Sequence, residues 1–369
     1  MRIDAVEVLD VAMRMIEPFE TSFGVEQDRH FSVVRVISDG VSGYGECVAM
    51  DGPFYNEETV VSAKDVIVRF LVPRIIGKEF AHPSELEPVF RSVRGNFMAK
   101  SAVETALWDL HGRLTQRSLA ELLGGVKTHV DVGISIGLQP SIDQLLVKVD
   151  GYLTQGFKRI KIKIKPGSDI DLVRAIRHAF GDVPLMVDAN SAYGLEDVEL
   201  LRSLDDFGLM MVEQPLAHDD IYHHAQLARK INTPICLDES ITSIDDLELA
   251  LALGACSVVN LKVPRVGGLS ASLAIEERCR DEGIDLWCGG SLESGIGRLV
   301  NLAVTSLPGF TLPGDTAPSA RYFHRDVLVE PVEFAVPGEI AVPSRPGIGV
   351  EVDHDVLAGY TQGRLRFEA

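Results

Sequence analysis

Residues 158–164 read KRIKIKI, an alternation of basic and β-branched residues that is typical of a β-strand with one polar face. This run is the first of five apolar runs that each end in an ionisable residue. The five residues are Lys163, Asp188, Glu213, Asp238 and Lys262, at successive intervals of 25, 25, 25 and 24 positions. One βα unit of a barrel takes about 25 residues, and the carboxyl ends of its strands meet at one mouth. The spacing therefore predicts a β/α barrel in which these five side chains converge.

Short apolar runs alternate with longer amphipathic stretches from Val130 onward, as in a parallel sheet whose strands are joined by helices. The candidate strands are 130–136, 159–164, 185–188, 209–213, 235–238, 257–261 and 285–288, with a weaker eighth near Phe310. An open doubly wound sheet would give the same alternation, but it would spread the five strand ends along a line. We therefore expect the closed barrel.

The first part of the chain has a different pattern, with β-branched runs at 3–11 and 31–38 followed by a helical period over 99–123. The apolar face of that helix is formed by Val103, Leu107, Leu110 and Leu114. We predict an α+β domain at 1–125 and a barrel domain with the active site at 126–319. The proline-containing segment 320–369 is expected to return to the first domain.

The composition is that of a folded globular protein, with 46% hydrophobic and 24% charged residues. Fifty-four acidic and 35 basic side chains give a formal charge of -19, which repels polyanions and argues against a nucleic-acid partner. The five cysteines form no C-x-x-C pair, so neither a disulfide framework nor a zinc cage is indicated. The sequence has neither the pattern of a signal peptide nor an uncharged run long enough to cross a membrane. We expect a cytoplasmic protein without a membrane partner.

Three of the convergent residues are acidic, and adjacent strands would bring their carboxylates together. Asp188, Glu213 and Asp238 could not all stay ionised without a counter-charge. Oxygen ligands that leave room for water or substrate suit octahedral Mg2+, for which Mn2+ or another divalent cation could substitute. The alternative is that each acid caps the helix after it, which fits one residue better than three in register.

Two lysines of the first run, Lys161 and Lys163, lie on the same face of a strand and so would point into the barrel. Burial near cations is expected to lower the pKa of such a lysine, and a neutral amine beside a metal-bound substrate could accept a proton from it. Lys262 comes from the opposite strand, so the amines of Lys163 and Lys262 would lie on the two faces of the α-carbon of a bound carboxylate. Loss of the α-proton would give an enediolate intermediate, whose charge the metal ion would stabilise. The alternative interpretation of 158–165 is a solvated edge strand.

Four motifs around these residues resemble those of the enolase superfamily, in its muconate-lactonising subgroup. They are KIK at 161–163, VDAN at 187–190, VEQP at 212–215 and LDES at 237–240. Further segments extend the resemblance over nearly the whole chain, toward the family of o-succinylbenzoate synthases and N-acylamino acid (N-succinylamino acid) racemases. They are FETSFG at 19–24, GEC at 45–47, GNFMAK at 95–100, GISIG at 133–137, PICLDES at 234–240 and PGD at 313–315.

The resemblance implies a modified TIM barrel, (β/α)7β, with an α+β capping domain whose loops close over the mouth. It implies Lys163 and Lys262 as acid/base residues on opposite faces of the substrate, and Asp188, Glu213 and Asp238 as metal ligands. The residues it implies at the substrate are Lys161, Ser135, Asn190, Arg265, Phe19, Phe23, Met50, Ser291 and Glu293. Arg265 is the hint of racemase activity, with an exposed arginine as the alternative, and Ser291 departs from the methionine expected in its loop.

The expected activity is abstraction of a proton α to a carboxylate, followed either by reprotonation on the opposite face or by loss of a β-hydroxyl as water. A racemase of N-succinylamino acids and an o-succinylbenzoate synthase both fit, acting on a small-molecule carboxylate in a homo-oligomer. A dipeptide epimerase fits less well, because residues 314–316, GDT, lack its Asp-x-Asp motif. A muconate cycloisomerase, a non-catalytic metal-binding barrel and a Schiff-base aldolase acting through Lys262 stay open as alternatives.

Overall fold

The computed structural model describes residues 1–21 and 24–369. The strands are β1 (Ala5–Glu20), β2 (Val25–Ser38), β3 (Val41–Cys47), β4 (His129–Asp131), β5 (Gly133–Ile136), β6 (Arg159–Lys163), β7 (Leu185–Asp188), β8 (Val212–Glu213), β9 (Ile235–Leu237), β10 (Val258–Leu261), β11 (Asp285–Cys288), β12 (Glu339–Ala341) and β13 (Thr361–Glu368). The α-helices are α1 (Val60–Val66), α2 (Val72–Ile75), α3 (Leu86–Phe90), α4 (Phe97–Thr115), α5 (Leu119–Leu123), α6 (Ile142–Thr154), α7 (Ile170–Phe180), α8 (Val198–Ser203), α9 (Ile221–Ala228), α10 (Ile244–Leu253), α11 (Leu269–Glu282), α12 (Gly295–Thr305) and α13 (His354–Tyr360).

The strands from β5 to β11 form one parallel sheet in sequence order, each bonded to the next. Residues 310–315 close this sheet, because Phe310 pairs in parallel with Leu286 on one side and Gly314 with Val132 on the other. The backbone of Asp315 also donates to the carbonyl of Cys288 at 2.8 Å. The predicted α/β barrel is therefore confirmed, with its eighth strand reduced to this short closing segment.

Side chains of the barrel strands alternate between the helix layer and the interior, as the pleat of a strand requires. On β6, Ile160 and Ile162 are buried in the main hydrophobic core, whereas Lys161 and Lys163 face the opposite way. An apolar layer lies below the mouth, toward the amino ends of the strands. It consists of Met186, Met211, Cys236, Val258 and Trp287. These apolar side chains fill the lower part of the barrel, and the ring of ionisable residues lies above them.

A four-stranded antiparallel sheet, in the order β13-β1-β2-β3, forms the capping domain. Helix α4 packs so closely on β3 that two glycines are required at the contact. A Cβ atom on Gly43 would lie 2.2 Å from the Ala106 carbonyl oxygen, and one on Gly45 would lie 2.0 Å from that of Ala102. Near the end of the chain, β12 pairs with β4 and β13 pairs with β1. The domain limits at 125 and 319 stay a prediction.

Two expected elements differ in the structure. The helix predicted over 99–123 ends at Thr115, because Gln116 takes a left-handed conformation with φ of 56° and α5 then restarts with Ser118 as its N-cap. Leu114, expected on the core face, is 36% exposed. The strand predicted over 130–136 divides into β4, which bonds to β12, and β5, which belongs to the barrel.

No helix within 1–21 or 24–369 combines the length and apolarity that crossing a lipid bilayer requires.

Candidate active site

The ring of strand ends forms as the spacing predicted. Lys163 on β6 pairs in register with Asp188 on β7, and Asp188 pairs with Glu213 on β8. Asp238 follows β9 and Lys262 follows β10, so both also lie at the carboxyl ends of their strands. All five side chains are buried, the least so being the two lysines at 8% exposure. The structure therefore brings together one continuous cluster of ionisable groups.

A cavity of about 590 Å³ lies between this cluster and the loops of the capping domain. Ten of the predicted site residues line it, namely Lys163, Lys262, Lys161, Asp188, Ser135, Asn190, Phe19, Met50, Ser291 and Glu293. Glu213, Asp238 and Arg265 are buried behind the lining. The predicted residue Phe23 lies outside the described residues. The volume is within the range of cavities that hold a small organic ligand.

Lys163 is held by two acceptors. Its Nζ donates to Asp188 Oδ2 and to Asn190 Oδ1, both at 2.6 Å. The amide of Asn190 in turn donates to Glu239 Oε1 at 2.9 Å. Asn190, itself held by Glu239, thus helps to orient the Lys163 amine.

Lys262 reaches the cavity from the other side of the barrel, since three strands, β7, β8 and β9, separate its strand from that of Lys163. Its Nζ donates to Asp238 Oδ2 at 2.9 Å and to Tyr55 Oη at 3.1 Å. Burial would lower the pKa of Lys262, but the hydrogen bond to Tyr55 and the negative charges of Glu239 and Glu213 outweigh burial and raise the pKa above its usual value.

Lys161 lies two residues before Lys163 on β6, and so deeper in the barrel than the strand ends. Its Nζ contacts Glu213 Oε2 at 3.0 Å, Asp315 Oδ2 at 3.2 Å and Asp188 Oδ2 at 3.3 Å. Burial opposes its charge, yet these three carboxylates raise its pKa. Partners within the chain thus raise the pKa of both Lys161 and Lys262. The prediction of a lowered pKa assumed a cation beside these lysines and stays a prediction.

The three predicted metal ligands are partnered by cations. Asp188 accepts from Lys161 and Lys163, and although burial acts against ionisation, these lysines hold its pKa below the usual range. Burial and the nearby charge of Asp188 raise the pKa of Glu213. Asp238 accepts from Lys262 and Arg265. In the part of the chain that the structure describes, no three acidic, histidine or cysteine side chains are grouped as a metal cage.

The chemistry of this donor set nevertheless fits a hard divalent cation. The carboxylate oxygens come from three neighbouring strand ends, and oxygen ligands are those that Mg2+ prefers. Beside them, Glu239 Oε2 is a buried carboxylate oxygen without a hydrogen-bond partner among the described residues. Asp188, Glu213 and Asp238 are therefore the residues that would hold such an ion.

Arg265 does not lie at the cavity wall, although it was predicted to contact the substrate. Its guanidinium binds Asp238 Oδ1 and donates to Tyr55 Oη at 3.2 Å and to the Ile241 carbonyl at 2.8 Å. The alternative of an exposed arginine is wrong, because the side chain is 3% exposed, whereas the substrate contact of Arg265 stays a prediction. Arg265 supports Asp238 from behind.

Several residues of the site were missing from the predicted set. Asp315, on the closing segment, accepts from Ser135 Oγ at 2.8 Å and from Arg159 at 2.5 Å. Asn260 donates to Glu213 Oε1 at 2.7 Å. The position of Asn260, two residues before Lys262 and so on the same face of β10, was the signal that could have found it.

Loops of the capping domain cover the cavity with apolar side chains. Phe54 and Val25 line it and are 71% and 62% exposed, so they form its outer rim. Tyr55 reaches deeper, where its ring lies 4.5 Å from Lys262 Nζ. On the barrel side, Glu293 accepts from the backbone of Ser291 at 2.5 Å and from Asn301 at 2.9 Å, which fixes the loop before α12.

Comparison with known families places both domains. Residues 3–124 match the model of the mandelate racemase / muconate lactonizing enzyme N-terminal domain, and residues 144–356 match the enolase C-terminal domain-like model. The chain belongs to the enolase superfamily. The predicted family is thus confirmed.

Individual enolase-superfamily relatives match over the full chain. An o-succinylbenzoate synthase of Geobacillus kaustophilus is 49% identical over 98% of this chain and 96% of its own length. An N-succinylamino acid racemase of Amycolatopsis sp is 43% identical over 99% of both chains. The solved structure of an enolase-superfamily member from Listeria innocua has a TM-score of 0.97 and 40% identity, and the match covers 100% of this chain and 99% of that one.

Proposed function

We propose that this enolase-superfamily protein abstracts a proton α to the carboxylate of an N-succinylamino acid or of the precursor of o-succinylbenzoate. The observation that carries the proposal is the pair of lysines, Lys163 and Lys262, which reach one cavity from strands on opposite sides of the barrel. The names of the full-length relatives support both substrate classes.

We propose Asp188, Glu213 and Asp238 as ligands of a Mg2+ ion, which Mn2+ could replace. The ion would supply positive charge to the substrate carboxylate and so acidify its α-proton. Lys161, with its ammonium directed between Asp188 and Glu213, adds a fixed positive charge close to the same place.

In racemisation, the unprotonated Nζ of Lys163 takes the α-proton from one face of the substrate. The ammonium of Lys262 delivers a proton to the opposite face, and the reverse reaction exchanges these roles. In dehydration, Lys163 takes the proton and returns it to the departing β-hydroxyl, which leaves as water. Lys262 stays charged in this case and stabilises the enediolate. Asn190 keeps Lys163 directed at the substrate, and the apolar rim excludes water.

The proposal is tested by two assays on the protein with Mg2+. Exchange of the α-hydrogen of N-succinyl-L-phenylalanine and of its D enantiomer in heavy water is followed by proton NMR. Formation of o-succinylbenzoate from its β-hydroxy acid precursor is followed by absorbance. We expect at least one activity. If neither appears with Mg2+ or with Mn2+, the proposal is refuted.

We further propose that the protein is cytoplasmic and forms a homo-oligomer. All five cysteines are free, and four of them are buried, which suits a reducing compartment. The formal charge of -19 supports the prediction that nucleic acid is not a partner.

A further inference from the structure

Arg298 on α12 is a buried guanidinium in the wall of the same cavity. It is 1% exposed, its Nη1 donates to the Ala317 carbonyl at 2.5 Å, and its Cζ lies 4.4 Å from the centre of the Tyr322 ring. Its Nε and Nη2 are buried and have no hydrogen-bond partner within 1–21 and 24–369. A buried arginine is expected to be paired, because an unpaired charge away from water is costly.

The other cations around the cavity are paired. Lys163 contacts Asp188, Lys262 contacts Asp238, and Lys161 contacts three carboxylates. Arg298 has no ion pair with any acidic residue that the structure describes. Arg298 therefore differs from the other cations of the site, because two of its nitrogen donors have no partner among the described residues.

Two acidic groups close to the amino end of α12 are already occupied. Glu293 accepts from Ser291 and Asn301. Asp326 accepts from the backbone of Gly295 at 2.8 Å and from Ser319. Movement of either carboxylate to Arg298 would leave these donors without a partner, so neither is available to neutralise the guanidinium.

The amino end of α12 is not the anion site, because protein carboxylates already cap it. Glu46 from β3 accepts from the backbone of Ser294 at 2.9 Å and of Gly297 at 3.1 Å, while Asp326 takes the donor of Gly295. A ligand anion on this side of the cavity would therefore meet the guanidinium rather than the helix backbone.

We propose that Arg298 binds the second, remote carboxylate of the substrate and so selects dicarboxylates such as N-succinyl compounds over N-acetyl compounds. This inference rests on the proposed function, in which the first carboxylate lies among the lysines. A guanidinium offers two parallel donors to a carboxylate, and in a buried wall that pairing is strong. The remote charge fixes which way the substrate lies in the cavity and takes no part in the chemical step.

The test compares N-succinyl-phenylalanine with N-acetyl-phenylalanine in the wild type, Arg298→Met, Arg298→Lys and Arg321→Met. Arg321 is the matched control, since its Cζ lies 5.3 Å from the centre of the same Tyr322 ring and it does not line the cavity. For each protein, kcat/KM is measured for racemisation, and binding is measured by calorimetry without turnover. We expect Arg298→Met to reduce the preference for the succinyl compound by about 10- to 100-fold. Arg298→Lys should reduce it less, and Arg321→Met should leave it unchanged.

If Arg298→Met leaves the preference unchanged, for example by lowering kcat/KM equally for both compounds, the assignment is overturned and Arg298 is a structural residue. If Arg298→Met does not fold, Arg298→Lys is used in its place, together with the neutral amide N-succinamoyl-phenylalanine as a ligand of the wild type. The assignment is overturned if Arg298→Lys keeps the wild-type preference and the wild type also binds the amide as tightly as the succinyl acid. A wild type that binds the succinyl compound selectively but shows neither exchange nor o-succinylbenzoate formation keeps the assignment and refutes the proposed function. A wild type that exchanges both compounds equally supports the proposed function and refutes the assignment of Arg298.

Discussion

Glu46 offers a test of how the capping domain is joined to the barrel. Its carboxylate is fully buried between β3 and the start of α12, where it accepts from the Ser294 backbone at 2.9 Å, the Ser294 hydroxyl at 2.6 Å and the Gly297 backbone at 3.1 Å. Burial, which these bonds only partly offset, raises the pKa of Glu46 to about 7 from 4.5.

The sign of the pH dependence follows from this raised pKa. Below about pH 4.5 the carboxyl is protonated in both the folded and the unfolded chain and carries no penalty. As pH rises toward about 7, the unfolded chain ionises first, so the free energy of unfolding falls, and above about pH 7 the loss is complete. The full shift corresponds to about 3 kcal/mol, of which about 2 kcal/mol lies between pH 5.5 and pH 8.5.

Glu46→Gln removes this titration. We expect the variant to be less stable than the wild type near pH 5.5, because its amide nitrogen faces backbone donors, and to gain about 2 kcal/mol relative to the wild type near pH 8.5. Urea unfolding followed by circular dichroism measures both differences. Glu333→Gln, at an exposed carboxyl, is the control and should show no pH-dependent difference. A constant difference between wild type and Glu46→Gln at the two pH values would refute the reasoning.

Other predictions concern the site, the core and the thiols. Tyr55→Phe should lower kcat about tenfold, because Lys262 and Arg265 lose a shared acceptor, and a kcat equal to that of the wild type in steady-state assays would contradict the role. Trp287→Ala should cost about 3–5 kcal/mol in urea unfolding, since the ring is wholly buried in the barrel base; a loss below about 1 kcal/mol would mean that the base is not packed as described. Removal of divalent ions with EDTA should abolish activity and Mg2+ should restore it, whereas full activity after dialysis into metal-free buffer would exclude the proposed ligand set. Burial raises the pKa of Cys47 and Cys256 to about 12, so the native thiols should react with a disulfide reagent only after unfolding, and rapid labelling of the native protein would be inconsistent with this packing.

The barrel and its ring could be predicted because their signals are local. A parallel strand places its last residues at a fixed edge, so the spacing from Lys163 to Lys262 determines which side chains meet. Register then follows, as the pairing of Lys163 with Asp188 and of Asp188 with Glu213 demonstrates. The polar-apolar alternation of 158–164 was sufficient to place Lys161 inside the barrel.

The partners of these residues could not be predicted in the same way. Asp315 lies on the closing segment of isolated bridges, where the strand pattern near Phe310 is weak, and Tyr55 comes from a distant loop of the capping domain. Asp315 helps to raise the pKa of Lys161, and Tyr55 helps to raise that of Lys262, so both pKa values depend on partners that are remote in the sequence. Arg298 is on a helix, where arginine is common, and its burial beside the cavity is evident only from the tertiary structure. The end of α4 at Thr115 was missed because Gln116 adopts the left-handed conformation without being glycine.

The central claim is that one amine lies on each face of the bound substrate, and exchange by single-lysine variants tests it most directly. Lys163→Ala and Lys262→Ala are incubated with each enantiomer of N-succinyl-phenylalanine in heavy water with Mg2+, and α-hydrogen exchange is followed by proton NMR. Lys165→Ala, at an exposed lysine two residues after Lys163, is the control and should exchange both enantiomers. The account predicts that each active-site variant keeps exchange with one enantiomer and loses the other, in complementary fashion. Loss of the same enantiomer in both variants, or exchange of both enantiomers by either one, would contradict it.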